Sequence, residues 1–146
     1  MMIRTMEISD YDQVYALWMS CKNMGFNNLD DSREGIGRFL RRNPGISFVA
    51  EDGGQIVGVI LSGHDGRRGY VYHMSVRETH RRQGIGSQLV ARCLDALKKE
   101  GIHKAALLVF CRNEDGNAFW ENQGFSARTD VMYRNKALSN LVRIDT

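Results

Sequence analysis

Two glycines separated by one residue stand between a strand-like segment and a helix-like segment, and this arrangement limits what the chain can fold into. They belong to the run Arg81-Arg82-Gln83-Gly84-Ile85-Gly86. The preceding segment, Tyr70–Val76, is rich in β-branched and aromatic residues, which is typical of a strand. After the glycines, apolar residues recur at helical spacing from Ile85 to Leu97. A glycine turn that opens a helix presents unpaired backbone amides to one point, so the pattern predicts a site for a phosphate or pyrophosphate.

Two familiar nucleotide-binding patterns do not fit these residues. A dinucleotide-binding fold would have a third glycine where Leu89 stands, and an acidic residue on the next strand roughly 20 residues on. That next strand, Lys104–Phe110, contains no acidic residue. A P-loop would continue with Gly-Lys-Ser/Thr, whereas Gly86 is followed by Ser87-Gln88. The predicted phosphate ligand therefore belongs to another class.

A second motif, downstream of the glycine turn, identifies this class by resemblance. Asn113 begins a run that ends in Gly124-Phe125. This asparagine, short helix and Gly-Phe pair resemble the corresponding part of the GNAT superfamily of acyl-CoA-dependent N-acetyltransferases. The run Arg81–Gly86 is similar to that superfamily's pyrophosphate loop. Around Gly63–Gly69 the chain resembles an uncharacterised bacterial branch, whose nearest described activity is that of the ribosomal-protein-alanine acetyltransferases.

The resemblance, which covers roughly Ser47 to Tyr133, implies both a fold and a function. The fold would be α/β: a single mixed, mostly antiparallel sheet with a central parallel β-α-β unit and helices on both faces. The function would be transfer of an acetyl group from acetyl-CoA to a primary amine, by direct attack in a ternary complex. The acceptor would be a small-molecule amine or a protein N-terminus. The alternative is a non-catalytic acetyl-CoA-binding sensor module.

Length and composition limit the number of domains and the kinds of protein that this chain could be. The 146 residues predict a single domain spanning 1–146, and 42% hydrophobic and 25% charged residues are ordinary for a globular protein. The net charge of +3 comes from scattered arginine pairs, without the basic stripe that nucleic-acid binding needs. No apolar run is long enough to span a membrane. The three cysteines lack metal-ligand spacing. We expect a cytoplasmic protein, monomeric or homodimeric, with no metal.

Hydrophobic periodicity and turn residues predict the order of the elements. A first helix should start at Ser9-Asp10, and a second should be capped by Asp31 in an aspartate form of the capping box. The apolar run Ala105–Phe110 suits a strand that is buried on both faces. We expect Phe125–Arg134 to return as a last strand. The strands before the glycine turn are predicted at Ser47–Glu51, Gln55–Leu61 and Tyr70–Val76.

The resemblance also assigns cofactor-binding residues. Acetyl-CoA would lie along the Tyr70–Val76 strand, where backbone groups at Met74, Ser75 and Val76 would bind the pantetheine and acetyl region. Asn113 would bond to the pantetheine arm, although an asparagine at this position also suits a simple turn. The pyrophosphate would be held by the glycine turn, whose residues are Arg81, Arg82, Gln83, Gly84, Ile85, Gly86 and Ser87.

The catalytic residues are harder to assign, because this chain departs from the family at two positions. Its described relatives carry a glutamate base where this chain has Leu108, and a tyrosine acid where it has Trp120. Strict alternation along the strand would put Tyr70, Tyr72, Met74 and Val76 on one face, and Val71, His73 and Ser75 on the other. In several relatives the residue two before the Met74 position points into the acceptor cleft. We therefore expect Tyr72 to orient an ordered water that takes the amine proton, or else only to pack.

Acidic side chains are the candidates for attracting a cationic acceptor. The acceptor site should be formed by the Lys22–Asp31 segment, the Gly63–Gly69 turn and the last hairpin, since these surround the acetyl end in the family. Asp30 and Asp65 lie in the first two of these segments. Asp65 also suits an Asx-type turn. By its parity on the strand, His73 is expected to be a structural residue.

Overall fold

The computed structural model describes residues 1–145 of the chain, which form a five-stranded sheet and four α-helices. The first half contains β1 (Met2–Thr5), α1 (Tyr11–Met19), α2 (Arg33–Arg42), β2 (Phe48–Asp52), β3 (Gln55–His64) and β4 (Gly69–Val76). The second half contains α3 (Ile85–Lys99), β5 (Ala105–Ala106) and α4 (Glu114–Asn122). Single 3-10 turns precede α1 and follow β4.

The sheet has the order β1-β2-β3-β4-β5, antiparallel except for the parallel pair of β4 and β5 at one edge. Alternate residues of β2 contact opposite faces: Phe48 and Ala50 pack with α3, whereas Val49 packs with α1 and α2. Trp18 of α1 and Leu89 of α3 are fully buried on the two faces. The predicted fold, a mixed and mostly antiparallel sheet with helices on both faces, is confirmed.

The start of α2 differs from the prediction in a way that affects the site. Ser32, not Asp31, is the N-cap residue, and its hydroxyl accepts a 3.0 Å hydrogen bond from the Gly35 amide. Serine and aspartate are equally good caps, so the sequence alone does not show whether Asp31 or Ser32 caps the helix. Because Ser32 takes this role, the carboxylate of Asp31 is available for another partner.

Of the two C-terminal strand predictions, the one at Ala105–Phe110 is confirmed only at its start, and the one at Phe125–Arg134 is wrong. β5 contains only Ala105–Ala106, and Leu108, predicted to lie in a doubly buried strand, is 67% exposed. Phe125–Arg134 forms no strand, because the short β5 offers almost no ladder to which its backbone could bond. The end of the described chain instead lies against the segment after α1: the Asn28 amide donates to the Val142 carbonyl, and the Phe26 amide donates to the Asp145 carboxylate.

Candidate active site

The centre of the site is a β-bulge in β4. Val59 of β3 pairs with Ser75 of β4, and Leu61 of β3 pairs with Tyr72 of β4. The two β3 residues are two positions apart and the two β4 residues are three positions apart, so β4 contains one extra residue between these pairs. His73 lies inside the bulge with a φ of 50°, in the left-handed region that non-glycine residues rarely adopt. One extra residue in a strand exchanges the faces of the residues beyond it.

The bulge makes the predicted strand parity wrong. Val71, Met74 and Val76 all pack on the α3 side of the sheet. Tyr72 and His73 both face the α1 and α2 side, where the Tyr72 ring centroid lies 5.7 Å from that of Phe39. The His73 ring centroid lies 4.7 Å from that of Phe26. The argument that separated Tyr72 from His73 therefore fails, and both side chains belong to the same face.

His73 is bound to a buried carboxylate. Its Nε2 lies 2.7 Å from Oδ1 of Asp31, and the two side chains are 14% and 6% exposed. The other Asp31 oxygen accepts from the Asn27 amide at 2.8 Å, and the Asp31 carbonyl accepts from the Tyr11 hydroxyl. The Trp18 indole donates to the His73 carbonyl at 3.1 Å, which fixes the bulge. No local sequence pattern predicts this pair, because its members are 42 residues apart and no pattern marks the bulge.

The strands β4 and β5 separate directly after they pair. Their ladder ends at Tyr70 and Ala106, and beyond it a cleft of about 70 Å³ opens between them. The edge of β4 that carries Met74 therefore has no β5 partner. The cleft is lined by the bulge on one side and by the segment after β5 on the other, with these residues: Asn23, Met24, Val71, Tyr72, His73, Met74, Leu107, Leu108, Val109, Asn113 and Trp120.

The glycine turn forms an exposed helix N-terminus beside this cleft. Gly84 is the N-cap of α3 with a φ of 80°, and no side chain caps the helix. The first amides of α3, at Ile85, Gly86 and Ser87, are those that a helix leaves without internal acceptors. The Arg81 guanidinium folds back onto the end of β4, where its Nε donates to the Val76 carbonyl at 3.1 Å. This geometry suits a bound anion.

The glycine pattern suggests that both glycines expose backbone amides, but Gly86 has a packing role. A Cβ on Gly86 would lie 3.1 Å from the Phe119 ring and 3.6 Å from the Met74 methyl group, both inside the protein. A Cβ on Gly84 would meet no atom within 4 Å. Gly86 therefore allows α4 to pack closely on α3, and Gly84 provides the left-handed turn that exposes the amides.

Asn113 caps α4 at its N-terminus, and Trp120 lies within this helix. Asn113 is the N-cap, whose side-chain oxygen accepts a 3.0 Å hydrogen bond from the Gly116 amide, so the turn function considered for this residue is present. Trp120 is 9% exposed and packs edge-on against Phe119 and Phe125. Both residues also line the cleft between β4 and β5.

A larger cavity of about 480 Å³, which we call the acceptor cavity, lies between α2 and β4. Tyr72 and His73 line this cavity as well as the cleft, so they form the wall between the two spaces. Burial, together with the nearby Tyr70, Tyr133 and Asp30, raises the pKa of Tyr72, so its phenol is protonated at neutral pH. The lining residues are Asn27, Asp30, Asp31, Gly35, Ile36, Arg38, Phe39, Arg42, Leu61, Tyr72 and His73.

Of the two acidic residues predicted to attract an acceptor, only Asp30 lines this cavity. Asp65 lies in the turn between β3 and β4, where its carboxylate accepts hydrogen bonds from the Arg67 and Arg68 amides, each at 2.8 Å. These bonds lower the pKa of Asp65. The Asx-type turn is confirmed.

Comparison with known proteins connects this geometry to a family. The sequence model of the acetyltransferase (GNAT) family matches residues 11–125. An acetyltransferase of Sodalis glossinidius is 30% identical over 138 residues, which are 94% of this chain and 96% of that protein. Within residues 1–145, none of the helices is long and apolar enough to cross a membrane.

Two solved structures share the fold. The structure of AAC(6')-Iy in complex with the bisubstrate analogue CoA-S-monomethyl-acetylneamine has a TM-score of 0.73 at 18% identity, covering 93% of this chain and 97% of that one. The ribosomal-protein-S18-alanine N-acetyltransferase of Escherichia coli has a TM-score of 0.70 at 20% identity, covering 88% and 79%.

Proposed function

This chain belongs to the GNAT acetyltransferase family, and we propose that it transfers the acetyl group of acetyl-CoA to the nitrogen of a primary amine. The observation that carries this proposal is the cleft between β4 and β5, which meets the acceptor cavity at Tyr72 and His73. A two-substrate transfer requires two sites that share one wall, so that the reacting atoms meet in a fixed geometry. AAC(6')-Iy was solved with an analogue that joins the two substrates.

The proposed cofactor site uses mainly backbone groups. The unpaired edge of β4 at Met74, Ser75 and Val76 would bind the pantetheine and acetyl region. The amides at the start of α3 would bind the pyrophosphate, because a helix N-terminus combines free N–H donors with a favourable dipole. Arg82, Gln83 and Ser87 are exposed at the same turn and complete its polar rim.

The reaction requires that the acceptor amine lose a proton. Tyr72 is a poor base at neutral pH because the pKa of its phenol is raised. We propose instead that His73 accepts the proton, a role that the corrected strand geometry supports. Asp31 would hold the Nε2 proton of the imidazole, which leaves the Nδ1 lone pair to accept a second one. Asp31 is then a positioning residue.

Bound acetyl-CoA supplies a thioester whose sulfur leaves as a thiolate. The acceptor nitrogen forms the new bond to the carbonyl carbon, the C–S bond breaks, and the nitrogen's proton passes to His73. A thiol has a pKa of about 8.5, so its thiolate can leave without an acid. This is consistent with Trp120, a side chain that can donate but cannot titrate in this range, in place of the family's tyrosine.

A thiol-release assay tests the function and separates it from the sensor alternative. Purified protein is mixed with acetyl-CoA and, in turn, with amino acids, polyamines, aminoglycosides and peptides with free N-termini. Free thiol that appears only with an amine supports the transferase. Calorimetric binding of coenzyme A without thiol release for any amine would support the non-catalytic sensor instead.

A further inference from the structure

The α2 wall of the acceptor cavity carries two arginines that form no ion pair within residues 1–145. Arg38 and Arg42 both line the cavity, and their spacing of four residues places them on one face of α2. Among residues 1–145, neither guanidinium has a hydrogen-bond or ion-pair partner. Arg33 on the same helix, in contrast, lies 3.5 Å from Asp12. The cavity therefore has cationic donors available for a ligand.

The opposite charge lies at the other end of α2. Asp30 precedes the helix, next to Gly35 of its first turn, and its carboxylate accepts from the Asn27 amide side chain at 2.9 Å. A helix rises 1.5 Å per residue, so Arg38 and Arg42 lie roughly 5 and 10 Å along the axis from Gly35. The wall between the two charged ends is apolar, formed by Ile36, Phe39 and Leu61 together with the Tyr72 ring.

We infer that the acceptor is an amine that also carries an anionic oxygen group, a carboxylate or a phosphate, roughly 5 to 10 Å from the nitrogen. This inference rests on the proposed function, because it describes the occupant of the same cavity. Asp30 attracts the ammonium end of the acceptor. The planar guanidinium groups of Arg38 and Arg42 bind the anionic end, because their N–H donors match the geometry of carboxylate and phosphate oxygens. A polyamine places a further positive charge against Arg38 and Arg42 and is disfavoured.

The experiment compares molecules that differ in the anionic group alone. The pairs are ε-aminocaproate with hexylamine, glycylglycine with its C-terminal amide, and phosphoethanolamine with ethanolamine; spermidine is the polycation. Binding is measured by calorimetry with coenzyme A present, and turnover by thiol release. The protein variants are wild type, Arg38→Gln/Arg42→Gln, and Arg41→Gln. Arg41 is the matched control, because its side chain lies beside Gly37 and outside the cavity lining.

The inference predicts that at least one anionic member binds at least about tenfold more tightly than its partner, and that the double variant removes this preference. Arg41→Gln should retain it. The pair that shows the preference identifies carboxylate or phosphate. Binding of an anionic member without thiol release would count against the transferase proposal and would leave only the preference of the cavity for an anionic amine, so the two failures are distinguishable. Equal binding within every pair, tighter binding of spermidine, no binding of any anionic member, or an unchanged preference in the double variant would overturn it.

Discussion

Replacing His73 with glutamine removes the imidazole and keeps a polar side chain beside Asp31. Asp31 is 6% exposed and 2.7 Å from the imidazole, so losing this bond should cost about 1–3 kcal/mol of unfolding free energy. A glutamine amide can still donate to the carboxylate, which places the cost at the lower end. The variant should therefore fold, and a thermal melt verifies this before any rate is compared.

The expected loss of activity is much larger than this structural cost implies. A general base contributes about 10²- to 10⁴-fold to the rate, so His73→Gln should lower kcat by at least about 10²-fold. Tyr72→Phe is the matched control, because it alters the adjacent side chain on the same wall. Its effect should be modest, since the phenol is protonated and serves only as part of the cavity wall.

The pH dependence distinguishes a base from a packing residue. The titratable and charged groups that line the acceptor cavity together with the imidazole are Asp30, Asp31, Arg38, Arg42 and Tyr72. In wild type, kcat/KM for the acceptor should show one inflection from the base on the enzyme, in addition to that of the acceptor amine's own ionisation. In His73→Gln this inflection should be absent, and only the acceptor amine's own ionisation should remain. A folded variant that keeps the wild-type rate and profile would refute the role of His73 and favour a water route past Tyr72.

Three further predictions concern stability, the cofactor and the leaving group. Burial alone would raise the pKa of Asp10, but hydrogen bonds from Arg4 and from the Glu7 amide outweigh it and lower the pKa; the resulting stabilisation is present above the unfolded-state pKa and lost as pH falls through the folded-state value. Asp10→Asn should therefore cost about 1–3 kcal/mol at pH 7 in urea unfolding, and progressively less as the pH falls below the unfolded-state pKa; a cost that does not change with pH would contradict this. Gly84→Val should weaken coenzyme A binding in calorimetry, because a β-branched residue at a φ of 80° distorts the turn; unchanged affinity would argue against the anion site. Trp120→Phe should keep most of the turnover, whereas a loss of 10²-fold or more in a folded variant would assign the indole a direct role.

The family and the main elements follow from local sequence signals. The Arg81–Gly86 turn between a strand and a helix depends on residues close together in the chain, and the structure places α3 directly after it. Asn113 at the start of α4 and the hairpin between β2 and β3 were predictable for the same reason. Propensity, periodicity and turn chemistry act over a few residues, which is the range that a single sequence reveals.

The wall formed by Tyr72 and His73 depends on the tertiary structure. Strict alternation along β4 predicts opposite faces for Tyr72 and His73, and the inserted residue that brings them together becomes visible only from the pairing with β3. The length of β5 and the path of Phe125–Arg134 likewise depend on which neighbours are available for pairing. Asp31 contacts His73 across 42 residues of chain, and Ser32 rather than Asp31 caps α2. Local conformation thus follows from the sequence, because it depends on residues close together in the chain. The contacts that bring the site residues together depend on packing between distant segments.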